Sequence, residues 1–316
     1  MLSFVIPAIN EAPSLETLRQ EITEAATGLG QDYEVIFIDD GSKDGTWATI
    51  KSMSDADPHV RGIRFRRNFG KAAALTAGFE ASRGDIVFTL DADLQDDPHE
   101  IPKFLEKLHA GADVISGWKK KRYDPWHKVG PSRVFNWLVG RLTGVKLHDH
   151  NCGFKCYRRD VIEEVQIHGE LHRFVPVLAA AQGFKVDEVE VNHRPRKFGS
   201  SNYGVTRIVK GLLDLLTVLF LTSYRQRPQH LLGAFGLISF FCGSIGVVYL
   251  AIYWVVKNYF GFTTWPAVHE RPVLHYAIAL LLLGGQFIAI GILAELITAT
   301  MGRDAPQFSI RERTGA

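Results

Sequence analysis

Charge is almost absent from two long stretches near the carboxyl end of this 316-residue chain. No Asp, Glu, Lys or Arg occurs from Leu231 to Val256 or from Val273 to Ala294. Each stretch exceeds the roughly 20 apolar residues that cross the hydrocarbon core of a bilayer. Buried core helices are the alternative, but uncharged helices of this length are rare in soluble domains. Two membrane spans are therefore predicted, over residues 231–256 and 273–299.

The chain also has few cysteines, three in all, and an odd number gives no disulfide framework. Cys152 and Cys156 lack the second pair of ligands that a zinc site needs, so both are interpreted as reduced thiols. No charged-then-apolar leader precedes the first predicted strand, and we expect the amino-terminal domain to stay in the cytoplasm. The net charge of +2 does not indicate a nucleic-acid partner, and none is expected.

The charges around the two spans predict a multi-pass protein of the inner (cytoplasmic) membrane. Three arginines flank the spans on the side of the large domain, against Lys257 and Arg271 in the intervening loop, which is the direction of the positive-inside rule. The spans are rich in glycine, which permits close helix packing and hence a homo-oligomer. The three flanking arginines are Arg225, Arg227 and Arg303.

The chain has no Gly-x-Gly-x-x-Gly after its first predicted strand and no P-loop motif, which disfavours a dinucleotide dehydrogenase and a P-loop ATPase. Apolar strands instead alternate with helical patterns, which predicts an α/β fold with a parallel sheet covered on both faces. Ligands of such sheets bind beyond the carboxyl ends of the strands. The first four predicted strands are Leu2–Pro7, Tyr33–Ile38, Val60–Phe65 and Ile86–Leu90.

Acidic residues follow two of these strands. Asp91 and Asp93 come after the fourth strand and, two residues apart on an extended chain, can direct their carboxylates at one point. Such hard oxygen ligands suit Mg²⁺ or Mn²⁺, with substrate diphosphate oxygens completing the coordination shell. The alternative is an acidic turn that caps the next helix. Asp39 and Asp40, after the second strand, can accept hydrogen bonds from a base or a ribose, or form a turn and helix cap.

Four motifs occur in order along the first third of the chain: Val5-Ile-Pro-Ala-Ile-Asn-Glu11, Ile38-Asp-Asp-Gly-Ser-Lys-Asp-Gly-Thr46, Arg67-Asn-Phe-Gly-Lys71 and Leu90-Asp-Ala-Asp-Leu-Gln-Asp96. Together they resemble the motifs of inverting family-2 glycosyltransferases. Followed by two membrane spans, they resemble the polyprenyl-phosphate branch of that family, which includes dolichol-phosphate mannose synthase and the bactoprenol glucosyl transferases. The chain lacks Gln-x-x-Arg-Trp, which disfavours a processive cellulose- or hyaluronan-type synthase.

The resemblance implies a GT-A fold: a Rossmann-like, mixed but mainly parallel sheet with helices on both faces. Interfacial amphipathic helices and two transmembrane helices would follow it. By resemblance, Asp39 contacts the base, Asp91 the ribose or the metal, and Asp93 with Gln95 the metal and the diphosphate. The Mg²⁺ or Mn²⁺ ligands are thus Asp91, Asp93 and Gln95, and the nucleotide site also includes Pro7, Asn10, Glu11, Asp40 and Lys71.

The segment His148-Asp149-His150 can bind zinc or act in acid–base chemistry, although a structural loop is the preferred interpretation. Many relatives carry Gly-Asp-Phe-Arg where this chain has Cys152-Gly153-Phe154-Lys155, so the proposed catalytic aspartate of the family is absent there. Asp149 is the candidate replacement, and Asp93 and Arg196 complete the predicted catalytic set. A phosphate monoester with a second pKa near 6 is already largely dianionic at neutral pH, so it needs positioning more than a general base.

Basic residues are expected to bind the acceptor phosphate. A basic, apolar pattern with a tryptophan at about 126–143 predicts a helix in the membrane interface, with a surface helix packed on the sheet as the alternative. The segment from His193 to Tyr203 resembles the flexible loop with which the family closes on the donor and acceptor phosphates, and guanidinium groups and hydroxyls suit that role. The predicted acceptor-phosphate residues are Arg133, Lys155, Arg194, Arg196 and Ser201.

The sequence therefore predicts an inverting enzyme that moves glucose from UDP-glucose to undecaprenyl or dolichyl phosphate at the cytoplasmic membrane face. GDP-mannose or UDP-N-acetylglucosamine is the alternative donor, and an inactive nucleotide-sugar-binding scaffold is the alternative function. Expected partners are the nucleotide sugar, the lipid, a flippase and a second glycosyltransferase. The predicted domains are a catalytic domain (1–205), a juxtamembrane amphipathic helix (206–228), the two spans (229–302) and a cytoplasmic tail (303–316).

Overall fold

The computed structural model describes residues 1–120, 126–165, 171–195, 206–223, 228–261 and 265–301. The chain divides into two units, of which the first runs from Met1 to Leu219 and the second begins at Phe220.

A single seven-stranded sheet forms the centre of the first unit, with helices between the strands. The strands are β1 (Leu2–Ala8), β2 (Tyr33–Asp39), β3 (Val60–Arg64), β4 (Ile86–Thr89), β5 (Val114–Trp118), β6 (Lys155–Arg158) and β7 (Val186–Glu190). The helices are α1 (Ala12–Gly28), α2 (Thr46–Ala56), α3 (Lys71–Ala81), α4 (Ile101–His109), α5 (Trp126–Thr143), α6 (Arg159–Glu164), α7 (Val175–Ala181) and α8 (Thr206–Ser223). Short 3₁₀ turns, Pro98–Glu100 and Leu171–Phe174, precede α4 and α7.

The strands lie in the order β3-β2-β1-β4-β6-β5-β7. β6 is antiparallel to both of its neighbours, β4 and β5, whereas all other pairs are parallel. The sheet is therefore mixed and mainly parallel, as the sequence predicts. The first four predicted strands are confirmed to within a residue at their ends.

Alternation along the strands builds a hydrophobic core on each face of the sheet. Phe4 and Phe37 point to one face and pack with residues of α1, α2 and α4, including Phe104. Val5 and Ile36 point to the other face and pack with residues of α3, α6 and α7. Both faces of the central strands are thus buried, which accounts for their nearly continuous apolar sequence.

The second unit contains two long antiparallel helices, α9 (Pro228–Tyr259) and α10 (Pro272–Met301). Both are long and apolar enough to cross a membrane, with mean hydropathies of 2.1 and 2.3 over their most apolar windows. Glycines let the two backbones approach, since a Cβ added at Gly236 would lie 2.9 Å from the Gly284 carbonyl oxygen. Close packing through small residues is the usual way in which helices associate in lipid.

Candidate active site

The candidate site lies at the edge of the sheet where the parallel strands end and the antiparallel strand β6 begins. β1, β2, β4, β5 and β7 end at this edge, whereas the antiparallel β6 begins there. Lys155, the first residue of β6, pairs with Thr89, the last residue of β4. Lys155 is thereby placed beside the start of residues 90–97, which we call the acidic loop. Parallel sheets of this kind bind their ligands at this edge.

Hydrogen bonds join the loops that follow β1 and β2. Asn10 has a left-handed backbone (φ 55°); its backbone N–H donates to Ser42 Oγ and its Oδ1 accepts from Lys43 N, both at 2.9 Å. The Glu11 N–H donates to Thr46 Oγ1 at 3.0 Å. Asn10 and Glu11 therefore help to fix the shape of this part of the crevice, and their contact with a nucleotide stays a prediction.

Asp39 is fully buried at the end of β2. Its Oδ1 accepts from Ser42 N at 2.8 Å, whereas Oδ2 lies 3.4 Å from Arg64 Nε and has no hydrogen-bond partner among the described residues. Because a buried acceptor without a hydrogen bond is costly, this oxygen is suited to an N–H donor from a nucleotide base. Pro7 lies near it in β1, opposite Ile38.

Asp40 holds the loop before α3 through two backbone hydrogen bonds, an arrangement that we call the Asp40 clamp. Its Oδ1 accepts from Phe69 N at 2.7 Å and its Oδ2 from Gly70 N at 2.9 Å. The loop passes so close to Gly41 (φ 75°) that a Cβ there would lie 2.5 Å from the Arg67 carbonyl carbon. The predicted contact of Asp40 with the nucleotide would have to share oxygens that already accept hydrogen bonds.

Asp91 is held between a lysine and a glycine at the start of the acidic loop. Lys71, the first residue of α3, donates to Asp91 Oδ1, and the two side chains are 33% and 35% exposed. On the other side, a Cβ added at Gly153 would lie only 2.4 Å from Asp91 Oδ2. The Gly153 carbonyl accepts a hydrogen bond from Thr89 Oγ1 at 2.8 Å, which fixes that backbone in place.

Three lysines set the charge state of Asp91. Partial burial disfavours the ionised carboxylate, but the positive charges of Lys71, Lys119 and Lys155 outweigh this effect and hold the pKa of Asp91 well below its usual range. Asp91 is therefore ionised at neutral pH. The three lysines place positive charges among the carboxylates of this corner, and such charges can pair with phosphate oxygens.

Asp91, Asp93 and Gln95, the predicted metal ligands, suit a divalent metal ion whose coordination shell is completed by substrate oxygens. Asp93 is buried and its Oδ1 accepts from Gln95 N at 3.2 Å, while Leu94 between them has φ 60°, a strained value for a leucine. In the described part of the chain, no three His, Cys, Asp or Glu side chains gather into a metal site. Two carboxylates and an amide suit Mg²⁺ or Mn²⁺ only if phosphate and water oxygens complete the coordination.

Lys119, which follows β5, forms a buried ion pair with the acidic loop. Its Nζ lies 2.7 Å from Asp96 Oδ1, and Asp96 also forms an isolated antiparallel bridge with His193. Burial opposes the charge of Lys119, but Asp96 outweighs it and raises the pKa of the lysine. The sequence predicts no partner for Lys119, since the pairing arises only when β5 and β4 lie on either side of β6.

Arg194 is engaged in two ion pairs inside the protein. Its Nη1 donates to both oxygens of Glu21, at 2.8 and 2.7 Å, and its Nη2 lies 2.7 Å from Asp97 Oδ1. Its backbone N–H donates to the Gln95 carbonyl at 2.9 Å. These contacts do not support the prediction that Arg194 binds the acceptor phosphate, because its guanidinium already ties α1 to the acidic loop. Arg196 and Ser201 lie outside the described residues.

Asp149 is buried in the loop that leads into β6, and Lys155 is buried at the start of that strand. Asp149 Oδ1 accepts from Asn151 N at 3.0 Å, and its carbonyl accepts from Ser116 Oγ at 3.3 Å. Lys155 Nζ donates to the Cys152 carbonyl, and burial lowers the pKa of Lys155 to about 8 although Asp149 and Asp91 oppose this. Asp149 is thus near enough to influence Lys155, and its catalytic role stays a prediction.

Two histidines outside the predicted set of site residues, the buried His150 and the half-buried His172, lie near these lysines. His150 is fully buried, neither ring nitrogen has a hydrogen-bond partner among the described residues, and burial together with Lys155 lowers its pKa to about 4. Burial, helped by Lys71 and Lys155, lowers the pKa of His172 far below its usual value. Both imidazoles are therefore neutral at pH 7.

His148 does not join His150 in a zinc site. It is exposed, its ring stacks on Trp118 with centroids 4.1 Å apart, and its Nδ1 pairs with Glu188. In the described part of the chain His148, Asp149 and His150 belong to no group of three metal-ligating side chains, and their role stays a prediction. Cys152 and Cys156 are buried free thiols, as predicted.

α5 and α8 present apolar side chains outward on the first unit. On α5, Val134 and Trp137 are 65% and 67% exposed, and Arg133 lies beside them, whereas Val139 faces inward. On α8 the outward leucines are Leu212, Leu213 and Leu216, and α8 meets α5 where Gly211 approaches Phe135. Exposed leucine and tryptophan beside arginine are typical of helices in a membrane interface, which supports that prediction for both helices.

Comparisons of the sequence identify related proteins. The family model described as glycosyl transferase family 2 matches residues 3–166. The dodecaprenyl-phosphate galacturonate synthase of Rhizobium johnstonii is 36% identical, over 98% of this chain and 92% of its own length. The undecaprenyl-phosphate 4-deoxy-4-formamido-L-arabinose transferase of Aeromonas hydrophila is 35% identical, over 94% of this chain and 88% of its own length.

Comparisons of the structure identify the fold. The glucosyl-3-phosphoglycerate synthase of Mycobacterium tuberculosis, solved with Mn²⁺, UDP-glucose and phosphoglyceric acid, superposes with a TM-score of 0.55. The match covers 70% of this chain and 78% of that one at 19% identity. The same enzyme with Mn²⁺, UDP and phosphoglyceric acid also gives a TM-score of 0.55, over 69% of this chain and 78% of that one. At this identity the likeness establishes the fold alone.

Proposed function

Because the chain belongs to glycosyltransferase family 2, we propose that it transfers a sugar from a nucleoside diphosphate to a polyprenyl phosphate, with inversion at the anomeric carbon. The family inferred from the four sequence motifs is confirmed by the family model and by two relatives that are polyprenyl-phosphate glycosyltransferases by name. The predicted GT-A-like fold is confirmed by the mixed sheet and its structural neighbours. The contacts within the site support particular roles for individual residues in this transfer.

The observation that carries the proposal is the position of Asp91 between Lys71 and the Gly153 backbone. An ionised carboxylate, three nearby lysines and an approach free of any Cβ make a pocket for a diphosphate. Asp91 and Asp93, with Gln95, would hold Mg²⁺ or Mn²⁺, which would neutralise the leaving diphosphate when bound. Lys71 orients Asp91 through their ion pair. Structural neighbours were solved with Mn²⁺ and nucleotide, which supports a divalent metal here.

We propose that the phosphate of the polyprenyl acceptor approaches the donor from the side on which Lys155 lies. A phosphate monoester is largely dianionic at neutral pH, so it can attack the anomeric carbon without a base. Lys155 is near Lys71 and Asp91 and can balance the charge of the incoming phosphate. With no base required, the site can act although Gly153 occupies the position where many relatives carry the catalytic aspartate. Asp149 would then orient the acceptor or Lys155 rather than remove a proton.

Membrane attachment is proposed to bring the lipid acceptor to this edge. The two long apolar helices and the outward leucines and tryptophan of α5 and α8 support a membrane location. Orientation with the catalytic unit in the cytoplasm, the inner membrane as the site, a homo-oligomer, and coupling to a flippase and a second glycosyltransferase stay predictions.

The donor sugar is the finer part of the proposal. UDP-glucose is the expected donor, with GDP-mannose and UDP-N-acetylglucosamine as alternatives. The two relatives act by name on galacturonate and on 4-deoxy-4-formamido-L-arabinose, so nucleotide-linked forms of both belong in the same panel. The lysines near Asp91 offer positive charge to a sugar carboxylate as well as to phosphates, which is a reason to include the uronate from the start.

The test is transfer of radiolabel from each donor to undecaprenyl phosphate in detergent, with Mg²⁺, Mn²⁺ or EDTA. We expect metal-dependent label in the lipid phase from at least one donor, lost in Asp93→Asn. Asp55→Asn is the matched control, because Asp55 is exposed on α2. Label from a donor other than UDP-glucose would correct only the sugar. No transfer from any donor, with nucleotide binding intact, would overturn the enzymatic proposal in favour of the scaffold.

A further inference from the structure

A cavity with aromatic walls lies in the second unit, where α9 ends and α10 begins. It measures about 360 Å³ and is lined by Tyr249, Tyr253, Trp265 and Arg271, among others. The two helices are antiparallel, so this end of the pair is the one remote from Pro228, where α9 starts. None of the residues that line the cavity belongs to the candidate active site.

Arg271 contributes a cation that no carboxylate of the described residues neutralises. Its Nη1 donates to Tyr249 Oη at 2.8 Å, and its guanidinium carbon lies 3.8 Å from the centre of the Tyr253 ring. Its Nε is buried and has no hydrogen-bond partner in the described part of the chain. Two neutral aromatic groups therefore orient the guanidinium, and no carboxylate of the described residues offsets its charge.

A second cation, Lys257, lies beside the cavity, next to the lining residue Pro266. Lys257 Nζ donates to the Pro266 carbonyl at 3.2 Å, and Tyr253 Oη donates to the same oxygen at 2.8 Å. The Tyr253 ring also stacks on Trp265, with centroids 5.2 Å apart. Glu270, the acidic residue of this turn, accepts from Ala267 N within the turn itself. Within the ranges that the structure describes, neither Lys257 nor Arg271 forms an ion pair.

Cations at the end of an apolar helix pair are costly unless they meet an anion or reach water. Tyrosine and tryptophan place this end at the level of lipid headgroups, and a guanidinium fork matches a phosphate group. We propose that the cavity binds the phosphodiester headgroup of a membrane lipid, with Arg271 contacting the phosphate and Lys257 adding charge. The aromatic rings would cover the glycerol or sugar beside that phosphate.

Two kinds of lipid carry this chemistry: an anionic phospholipid such as phosphatidylglycerol, and a polyprenyl phosphosugar. The cavity shares no residue with the candidate active site, so the test measures binding and compares it between wild type and cavity variants. Full-length protein, delipidated in detergent, is titrated separately with phosphatidylglycerol, with a polyprenyl phosphosugar and with diacylglycerol, which lacks the phosphate. Bound lipid is counted by native mass spectrometry.

We expect one or both phosphodiester lipids to bind, and Arg271→Gln to weaken that binding about tenfold, the effect of losing one charged hydrogen-bonding partner. Tyr249→Phe removes only the hydroxyl that orients Arg271 and should give a smaller loss with an unchanged melting temperature, so a folding defect is recognised. Lys51→Gln removes an exposed charge from α2 and is the matched control. Arg271-dependent binding of either lipid supports the site and identifies its source. Equal binding by wild type and Arg271→Gln, or equal binding of diacylglycerol, overturns it.

Discussion

Gly153→Ala is expected to displace Asp91 and to reduce catalysis without unfolding the protein. The added Cβ would lie 2.4 Å from Asp91 Oδ2, 2.6 Å from Cγ and 2.8 Å from Oδ1. Ordinary contact requires the carboxylate to move by roughly 1 Å. The glycine backbone cannot retreat without breaking the hydrogen bond from Thr89 Oγ1, whereas Asp91 is one-third exposed and can swing away.

A displacement of this size at a group that positions the reacting diphosphate costs about 100-fold in rate. That factor corresponds to roughly 2.7 kcal/mol of transition-state stabilisation. Gly153→Asp, which restores the aspartate seen in many relatives, should be no better, because it adds a second carboxylate against Asp91. In this chain an aspartate at position 153 is thus expected to lower the rate of transfer.

The assay is kcat/KM for lipid-linked transfer with the best donor, together with nucleotide affinity and the melting temperature. Gly28→Ala is the matched control, because nothing lies within 4 Å of a Cβ at that position. We expect wild-type kinetics for Gly28→Ala and near-wild-type melting for both variants. A kcat/KM within twofold of wild type for Gly153→Ala, or a gain of activity in Gly153→Asp, would refute the reasoning.

Three further outcomes are expected. Lys155 has its pKa lowered to about 8 and loses its charge above that pH, so kcat/KM should fall on the alkaline side; Lys155→Arg should abolish this fall, and an unchanged pH profile would contradict it. His150 has its pKa lowered to about 4, so the unfolded chain takes up its proton first and stability should decrease by about 2 kcal/mol between pH 7.5 and pH 5. His150→Phe should reduce that loss as followed by thermal melting, whereas the same change at exposed His109 should not. Trp137→Glu should raise the KM for polyprenyl phosphate several-fold and leave nucleotide affinity unchanged; equal effects on both substrates would exclude an interfacial role for α5.

The first half of the sheet can be predicted from the sequence because its signals are local. β1 and β2 are mainly apolar segments that end in polar turns, and the sequence predicts both to within a residue. β6 gives no such signal, since Lys155–Arg158 is four residues long and has a basic residue at each end. Its antiparallel direction depends on pairing with β4, some 70 positions earlier in the chain, and so does the approach of Lys155 to Asp91.

In the candidate site, too, residues marked by local spacing can be predicted, whereas contacts between residues distant in sequence cannot. Spacing alone indicates Asp91 and Asp93, because alternate positions at one strand end share an edge. A pattern of basic residues predicts that Arg194 binds phosphate, but its partners are Glu21 and Asp97, which no local pattern connects to it. The sequence does not indicate that Lys119 and His172 lie near the candidate site, because their environment depends on how the second half of the sheet closes.

The Asp40 clamp holds the loop before α3 through its backbone rather than through its side chains. Asp40 grips the loop before α3 by backbone N–H groups, so the position of Lys71 does not depend on which side chains the loop carries. Those side chains lie outside, with Phe69 52% exposed and Arg67 stacked against it at 4.3 Å. The contacts of Asp40 that hold this loop therefore do not involve the side chains of Arg67 and Phe69. A lineage could change what this rim of the crevice recognises while Asp40 and Gly41 stay fixed.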